Sequence, residues 1–320
     1  MRVWLASAPG STERLNEDFV AASNDVVVLL DGAGTPTGTE SGCSHGVAWY
    51  ARQLGAQLLI EASVTPRRPL TEALAVGINR VRDMHADTCD LTHPGTPSAT
   101  AIAVRRNGRD LEYLVLADSV LVLDVLDGAP TVVTDDRLAQ TSRTLRSEMD
   151  ALPTGSPEHA KALRSYTESL ASYRNTEGGF WVANTDPAAA THALTGSLPA
   201  DTVRAAALLS DGASRLVDRF GLTDWTDTLK LLGEEGPAEL IRRVRVAEDS
   251  DPHGERWPRG KANDDASAAY CWLSGIRSDP EPVAPSVAPT AKSKGPFLEL
   301  ERAFDLVRSR RDSNPQPSDP

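Results

Sequence analysis

Apolar positions in the first 275 residues switch repeatedly between a spacing of two and a spacing near 3.6, the periods of half-buried strands and amphipathic helices. Short aliphatic runs bounded by turn residues predict strands over 25–30, 99–105, 111–116, 120–125, 131–133, 180–183, 204–209 and 267–273. Helical spacing predicts helices over 42–61 and 70–88, with further helices inside 136–173 and 213–247. The two early helices come consecutively, and a run of neighbouring strands follows them. That order predicts a layered α/β or α+β sandwich rather than strict βαβ alternation around a parallel sheet.

The pattern changes near Ile276. Eight of the 22 prolines fall in the last 45 residues, and repeated proline removes backbone donors and favours extended, solvated chain. One domain is therefore expected over 1–275, with a linker over 276–296. Beyond it Phe297, Leu300, Phe304 and Val307 recur at i, i+3, i+7 and i+10, one face of a short amphipathic helix. The tail over 297–320 is expected to be mostly disordered or to form that short amphipathic helix.

Composition narrows the partners. Of 320 residues 40% are hydrophobic and 24% charged, the balance of a globular chain able to bury a sizeable core. Lys and Arg number 33 against 45 Asp and Glu, a net charge of −12, and the cations are scattered apart from Arg308, Arg310 and Arg311 in the tail. Such a balance argues against nucleic acid and against anionic membrane surfaces. Apolar stretches such as Val26-Val27-Val28-Leu29-Leu30 fall far short of the roughly 20 residues a membrane helix needs. Residues 1–9 lack the apolar core of a secretory signal, so a cytoplasmic monomer is expected. The three cysteines, Cys43, Cys89 and Cys271, are too few and too far apart for a disulfide framework or a cysteine-rich metal site. They are expected to be reduced and structural.

The chemistry lies where apolar strands stop in aspartate. Val26 to Leu30 is followed by Asp31-Gly32-Ala33-Gly34, and Ala205 to Leu209 by Ser210-Asp211-Gly212. Glycine after aspartate lets the chain turn tightly and lets neighbours approach an ion closely. Asn16-Glu17-Asp18, Ala117-Asp118-Ser119 and Asn263-Asp264-Asp265 occupy similar strand or loop ends. Each alone is more often a hairpin turn or a helix cap than a ligand. Together they form an oxygen-only donor set that repels itself unless hard cations such as Mg²⁺ or Mn²⁺ neutralise it.

With these motifs in order, and with Ser98-Ala99-Thr100-Ala101 between them, the chain resembles the metal-dependent protein phosphatases of type 2C, the PPM family, in its bacterial form. The resemblance runs from residue 1 to about 275. It implies an α+β fold, a four-layer α/β/β/α sandwich of two central, mainly antiparallel sheets flanked by helices. At one edge it implies two divalent cations, Mn²⁺ or Mg²⁺. Asp31 would bridge both ions, the Gly32 carbonyl would hold one, and Asp211 and Asp264 would complete the first. Glu17 would act through a water with Asp18 beside it, and Asp118 would serve a third, weaker ion. Asp31, Asp211 and Asp264 would thus carry catalysis, the cations activating a water that attacks phosphorus with no phosphoenzyme. The implied activity is hydrolysis of phosphoserine and phosphothreonine in proteins, opposing a serine/threonine kinase.

The chain also departs from the family pattern. The family's phosphate-binding arginine falls at Glu13, so Arg14, one residue later, is the expected phosphate ligand. Where many members carry Asp-Gly-His-Gly this chain has Ala33, which leaves protonation of the leaving group to a water or to His45 or His93. The family's Gly-Asp-Ser becomes Ala117-Asp118-Ser119, which demands room for a Cβ. A mobile flap is expected over about 135–195, with Trp181 packed in the core. These departures keep open a phosphatase-like binding module with little or no turnover, and the same site could serve small phosphate esters.

Overall fold

The computed structural model describes residues 1–34 and 40–273, so the expected linker at 276–296 and tail at 297–320 lie outside the described residues. The strand β3 (Val26–Leu30) displays the layering. All five of its residues are buried. Val26, Val28 and Leu30 pack with Leu54 and Leu58 of α1 (Val47–Ser63) and with Leu74 and Ile78 of α2 (Leu70–His85). Val27 and Leu29 face the other way, into a cluster with Leu121, Leu123, Leu208 and Cys271. An unbroken apolar run is what a strand covered on both faces requires.

That strand belongs to a five-stranded sheet with β2 (Phe19–Ala22), β6 (Ala101–Asn107), β7 (Asp110–Leu116) and β10 (Leu194–Pro199), in the order β10-β7-β6-β3-β2. A second sheet joins β1 (Arg2–Ala8), β12 (Ala266–Trp272), β11 (Val203–Leu209), β8 (Val120–Val125) and β9 (Thr131–Val133), in that order. Every pairing in both sheets is antiparallel. On the outer face of the second sheet, α5 (Asp211–Asp218), α6 (Trp225–Glu234) and α7 (Pro237–Asp249) bury Leu216, Leu231, Leu240 and Val244 against Val122, Ala207 and Ala268. The result is the expected four-layer sandwich. No helix among the described residues is long and apolar enough to cross a membrane.

Several boundaries differ from expectation. The helix expected at 42–61 starts at Val47, because Gly42 and Gly46 adopt φ of 69° and 79°, outside the helical region. The next ends at His85, and the amides of Thr88 and Cys89 turn back onto the His85 carbonyl. Residues 180–183 form no continuous strand, only isolated bridges from Ala183 to Ala99 and from Phe180 to Arg174. The Asn175 side chain, donating to the Val182 carbonyl and accepting from the Val182 amide, takes the backbone groups a neighbouring strand would use. In the two five-stranded sheets three strands, β1, β2 and β10, carry no clear sequence signal. Among them β10, Leu-Thr-Gly-Ser-Leu-Pro, is a largely exposed edge strand with glycine and proline inside it. The 136–173 region resolves into α3 (Arg137–Asp150) and α4 (Pro157–Leu170). Trp181 is buried in the core as expected, stacked on His192 at 3.4 Å.

Candidate active site

The carboxylates gather where strands from both sheets end. Asp31 follows β3, and its backbone is pinned to Thr100: the Asp31 amide donates to Thr100 Oγ1 (3.1 Å) and the Thr100 amide donates to the Asp31 carbonyl (2.9 Å). The next two residues form β4 (Gly32–Ala33), paired with β5 (Ser98–Ala99). Gly32 has no room for a side chain, since a Cβ there would lie 2.6 Å from both the Glu17 carbonyl oxygen and Val47 Cγ1. The Gly32 amide donates to that same carbonyl at 3.1 Å, which ties the Glu17-Asp18 segment to the Asp31 turn.

From the second sheet come Asp211, the first residue of α5, and Asp264, two residues before β12. The Asp211 amide, at the helix N-terminus, donates to Asp31 Oδ2 at 3.4 Å, so the positive end of α5 faces the Asp31 carboxylate. A Cβ at Gly212 would sit 1.9 Å from the Asp265 carbonyl oxygen, so only glycine lets α5 begin this close to the 264–265 turn. Asp265 accepts from the amides of Gly10 (2.8 Å) and Glu17 (2.7 Å) and thereby draws the first motif onto the last.

Electrostatics bind these residues into one group. Burial raises Asp18 to about 7, with Asp211 and Asp264 adding repulsion. Burial also raises Asp31 well above the ordinary carboxylate range, with Asp18, Asp211 and Asp264 adding to it. Asp118, in the turn between β7 and β8, is raised to about 7 by burial and then by Asp211. Glu17 is raised by burial, with Arg14 among the charges that pull it back down. The structure thus brings together Glu17, Asp18, Asp31, Asp118, Asp211 and Asp264, while Arg14 stands exposed at the rim.

Two cations that the sequence pattern does not single out hold Asp264. Lys261 Nζ donates to Asp264 Oδ1 at 2.7 Å and Arg215 Nη2 to Oδ2 at 2.8 Å, while Arg215 also reaches Glu248 at 2.5 Å. Burial alone would raise Asp264, but Lys261 and Arg215 outweigh it and hold the carboxyl below its usual range. The only available signal is spacing: Lys261 sits three residues before Asp264, and Arg215 one helical turn after Asp211.

Both oxygens of Asp18 are buried with no partner in good hydrogen-bonding geometry, although the Ser267 and Ser210 hydroxyls lie close enough to pull its pKa back down against burial. Two lone-pair-rich oxygens faced by no more than two hydroxyls, beside three further acids, fit a cation or a water held by one. The all-oxygen donor set suits Mn²⁺ or Mg²⁺.

The proposed proton donors lie elsewhere. Ala33 is exposed. The His45 ring nitrogen faces Cys43 and Cys89, and His93 Nδ1 accepts from the Gly95 amide at 3.0 Å. The Cβ at Ala117 imposes a backbone cost: φ is 68°, the left-handed region in which glycine is at ease.

The sequence matches a family profile described as Protein phosphatase 2C over residues 11–244. No curated protein matches it. Among solved structures the fold is similar to the Mycobacterium tuberculosis serine/threonine phosphatase PstP/Ppp, at 20% identity over 86% of this chain and 99% of that one, with a TM-score of 0.52. It is similar as well to the catalytic domain of the serine threonine protein phosphatase PstP in complex with 2 manganese ions, at 20% identity over 85% and 97% and a TM-score of 0.50. A bacterial serine phosphatase aligns at 12% identity over 87% and 100%, with a TM-score of 0.54. At these identities the likeness is one of fold.

Proposed function

The chain belongs to the protein phosphatase 2C family, and from that premise we propose that it hydrolyses phosphoserine and phosphothreonine in proteins with two divalent cations, Mn²⁺ or Mg²⁺, held by its strand-end acids. Asp31, Asp211, Asp264 and the Gly32 carbonyl would hold the pair, Glu17 and Asp18 would act through water, and Asp118 would hold a third, weaker ion. When bound, such cations neutralise phosphate charge and acidify the water that attacks phosphorus.

The chain's own residues do the rest. The α5 N-terminus steadies the Asp31 carboxylate, and Lys261 and Arg215 fix both oxygens of Asp264. Arg14, exposed beside Glu17, offers a guanidinium to the phosphate. With alanine at position 33, the leaving oxygen takes its proton from solvent. The α3–α4 pair borders the site as its flap, Arg146 of α3 reaching Asp118 electrostatically. The reading places the protein in the cytoplasm as a monomer acting on phosphoproteins, its net charge of −12 turning it away from polyanionic partners.

The observation that carries this reading is the buried Asp18 carboxylate, raised to about 7 in spite of the Ser267 and Ser210 hydroxyls beside it, among acids that raise one another's pKa. Phosphate release from a phosphothreonine peptide by the full chain, with Mn²⁺, with Mg²⁺ and with chelator, tests it. Release that needs metal and is lost in Asp31→Asn and Asp211→Asn is expected. A folded chain that binds Mn²⁺ and releases no phosphate would overturn it in favour of a binding module.

A further inference from the structure

Away from the strand-end acids, two cysteines and two histidines meet where α1 begins and α2 ends. Cys43 and His45 lie in the turn before α1, His85 is the last residue of α2, and Cys89 follows one turn later. One donor atom from each lies within 4.8 Å of the other three, and among the described residues no other group of histidine, cysteine or carboxylate side chains is drawn this tight. The expectation that Cys43 and Cys89 lie too far apart for a metal site is therefore corrected: the α1–α2 hairpin brings them together across 46 residues of chain. Cys271 remains as expected, buried between the sheets.

The geometry points to a Zn²⁺ site of the Cys₂His₂ type, and we propose that Cys43, His45, His85 and Cys89 bind one zinc ion that staples α1 to α2. With Zn–S near 2.3 Å and Zn–N near 2.0–2.1 Å, a tetrahedral site has ligand-to-ligand edges of roughly 3.4–3.8 Å. Four of the six edges are 3.6 Å (Cys43 Sγ to Cys89 Sγ), 3.6 Å (Cys43 Sγ to His85 Nδ1), 3.9 Å (Cys43 Sγ to His45 Nδ1) and 3.3 Å (Cys89 Sγ to His45 Nδ1). Mixed sulfur and nitrogen donors in a tetrahedron select zinc over the hard ions suited to the acids.

A disulfide explains less. Sulfur atoms 3.6 Å apart are unbonded thiols, and joining them would do nothing for the histidines. His85 is 1% exposed, its Nε2 has no partner and its Nδ1 faces only a thiol. A buried imidazole with so weak a partner is under-satisfied, and a metal at Nδ1 supplies the strong one. Trp49 covers the group, its ring 4.3 Å from that of His45 and 5.2 Å from that of His85.

Four protein ligands leave no open position, so the ion's role is structural. Its effect would reach the acids through packing. Val47, the first residue of α1, lies against both Gly32 and Gly34, so fixing the start of α1 fixes the wall behind the Asp31 turn.

The test is metal content of the purified full chain together with Co²⁺ substitution. About one zinc per chain is expected, falling to near zero in Cys43→Ser and Cys89→Ser and unchanged in Asp211→Asn. Co²⁺ added to the zinc-stripped wild-type chain should produce the intense visible bands of tetrahedral cobalt with a thiolate charge-transfer band, a readout independent of whether the cysteine variants fold. Substoichiometric zinc with no tetrahedral cobalt spectrum would overturn the proposal. So would a chain two mass units lighter, carrying a Cys43–Cys89 disulfide that persists when zinc is supplied under reducing purification.

Discussion

The two candidate metal centres are built on opposite terms. At the strand ends, acids from two sheets are held by backbone: the Asp31 turn is pinned to Thr100, Asp211 begins a helix and Asp265 ties two loops together. Burial and mutual repulsion raise most of their pKa values, Asp18 to about 7 even with the Ser267 and Ser210 hydroxyls beside it. At the helix ends, two thiols and two imidazoles approach to 3.3–3.9 Å, and against the opposing effect of burial, hydrogen bonds from Ser44, Thr88 and His45 pull the Cys89 thiol down to about 5. The difference teaches that a site poised for exchangeable hard ions stores repulsion in its empty form, whereas a site for a fixed, softer ion can close beforehand.

Removing a central acid should have the largest effect. Asp31→Asn is expected to lower phosphopeptide turnover by at least ~100-fold, about 2.7 kcal/mol of barrier, while leaving zinc content and far-ultraviolet dichroism unchanged. Loss of zinc in this variant would erase the distinction between the centres. Next is Gly212→Ala, whose Cβ must displace the Asp265 carbonyl. Overpacking against backbone should cost about 1–3 kcal/mol in chemical denaturation and weaken Mn²⁺ binding more than Zn²⁺ binding.

The stored repulsion has a pH signature. Asp18 and Asp118 titrate near 7 in the folded chain, against an ordinary aspartate near 4. A raised folded pKa means that the native state holds its proton more tightly than the unfolded chain. Its contribution to stability is complete below about pH 4 and is lost as pH rises through about 7. The Mn²⁺-free protein should therefore lose melting temperature between about pH 5 and 8. Asp18→Asn should flatten that slope, and Mn²⁺ should restore stability at the alkaline end. Identical slopes for wild type and variant would remove Asp18 from the account. The smallest effect belongs to Ala117→Gly, which relieves a left-handed alanine and should stabilise the fold by about 1 kcal/mol.

Legibility in the sequence followed the same division. Strand-Asp-Gly junctions announced themselves because each acid sits at the end of a run such as Val26 to Leu30, whose burial on both faces leaves an unbroken apolar string. The layered sandwich was legible for the same reason. Of the four edge strands of the two large sheets only β9 was: β1, β2 and β10 are part-exposed, and β10 carries glycine and proline. Lys261 and Arg215 went unnoticed because a single cation beside an acid is common surface chemistry, and only packing puts both on Asp264. The Cys/His group was obscured by counting cysteines alone. Its signal was a Cys-x-His pair before one helix and a His-x₃-Cys pair closing the next, which becomes informative only when α1 and α2 are known to form a hairpin.

The most direct test is a partition of metals in one sample: the full chain, isolated with zinc and then equilibrated with Mn²⁺, assayed for both ions as wild type, Asp211→Asn and Cys43→Ser. The account predicts that wild type keeps its zinc while binding exchangeable Mn²⁺. Asp211→Asn should lose Mn²⁺ but not zinc, and Cys43→Ser should lose zinc while still binding Mn²⁺. Displacement of zinc by Mn²⁺, or loss of both ions in a folded Asp211→Asn chain, would contradict it.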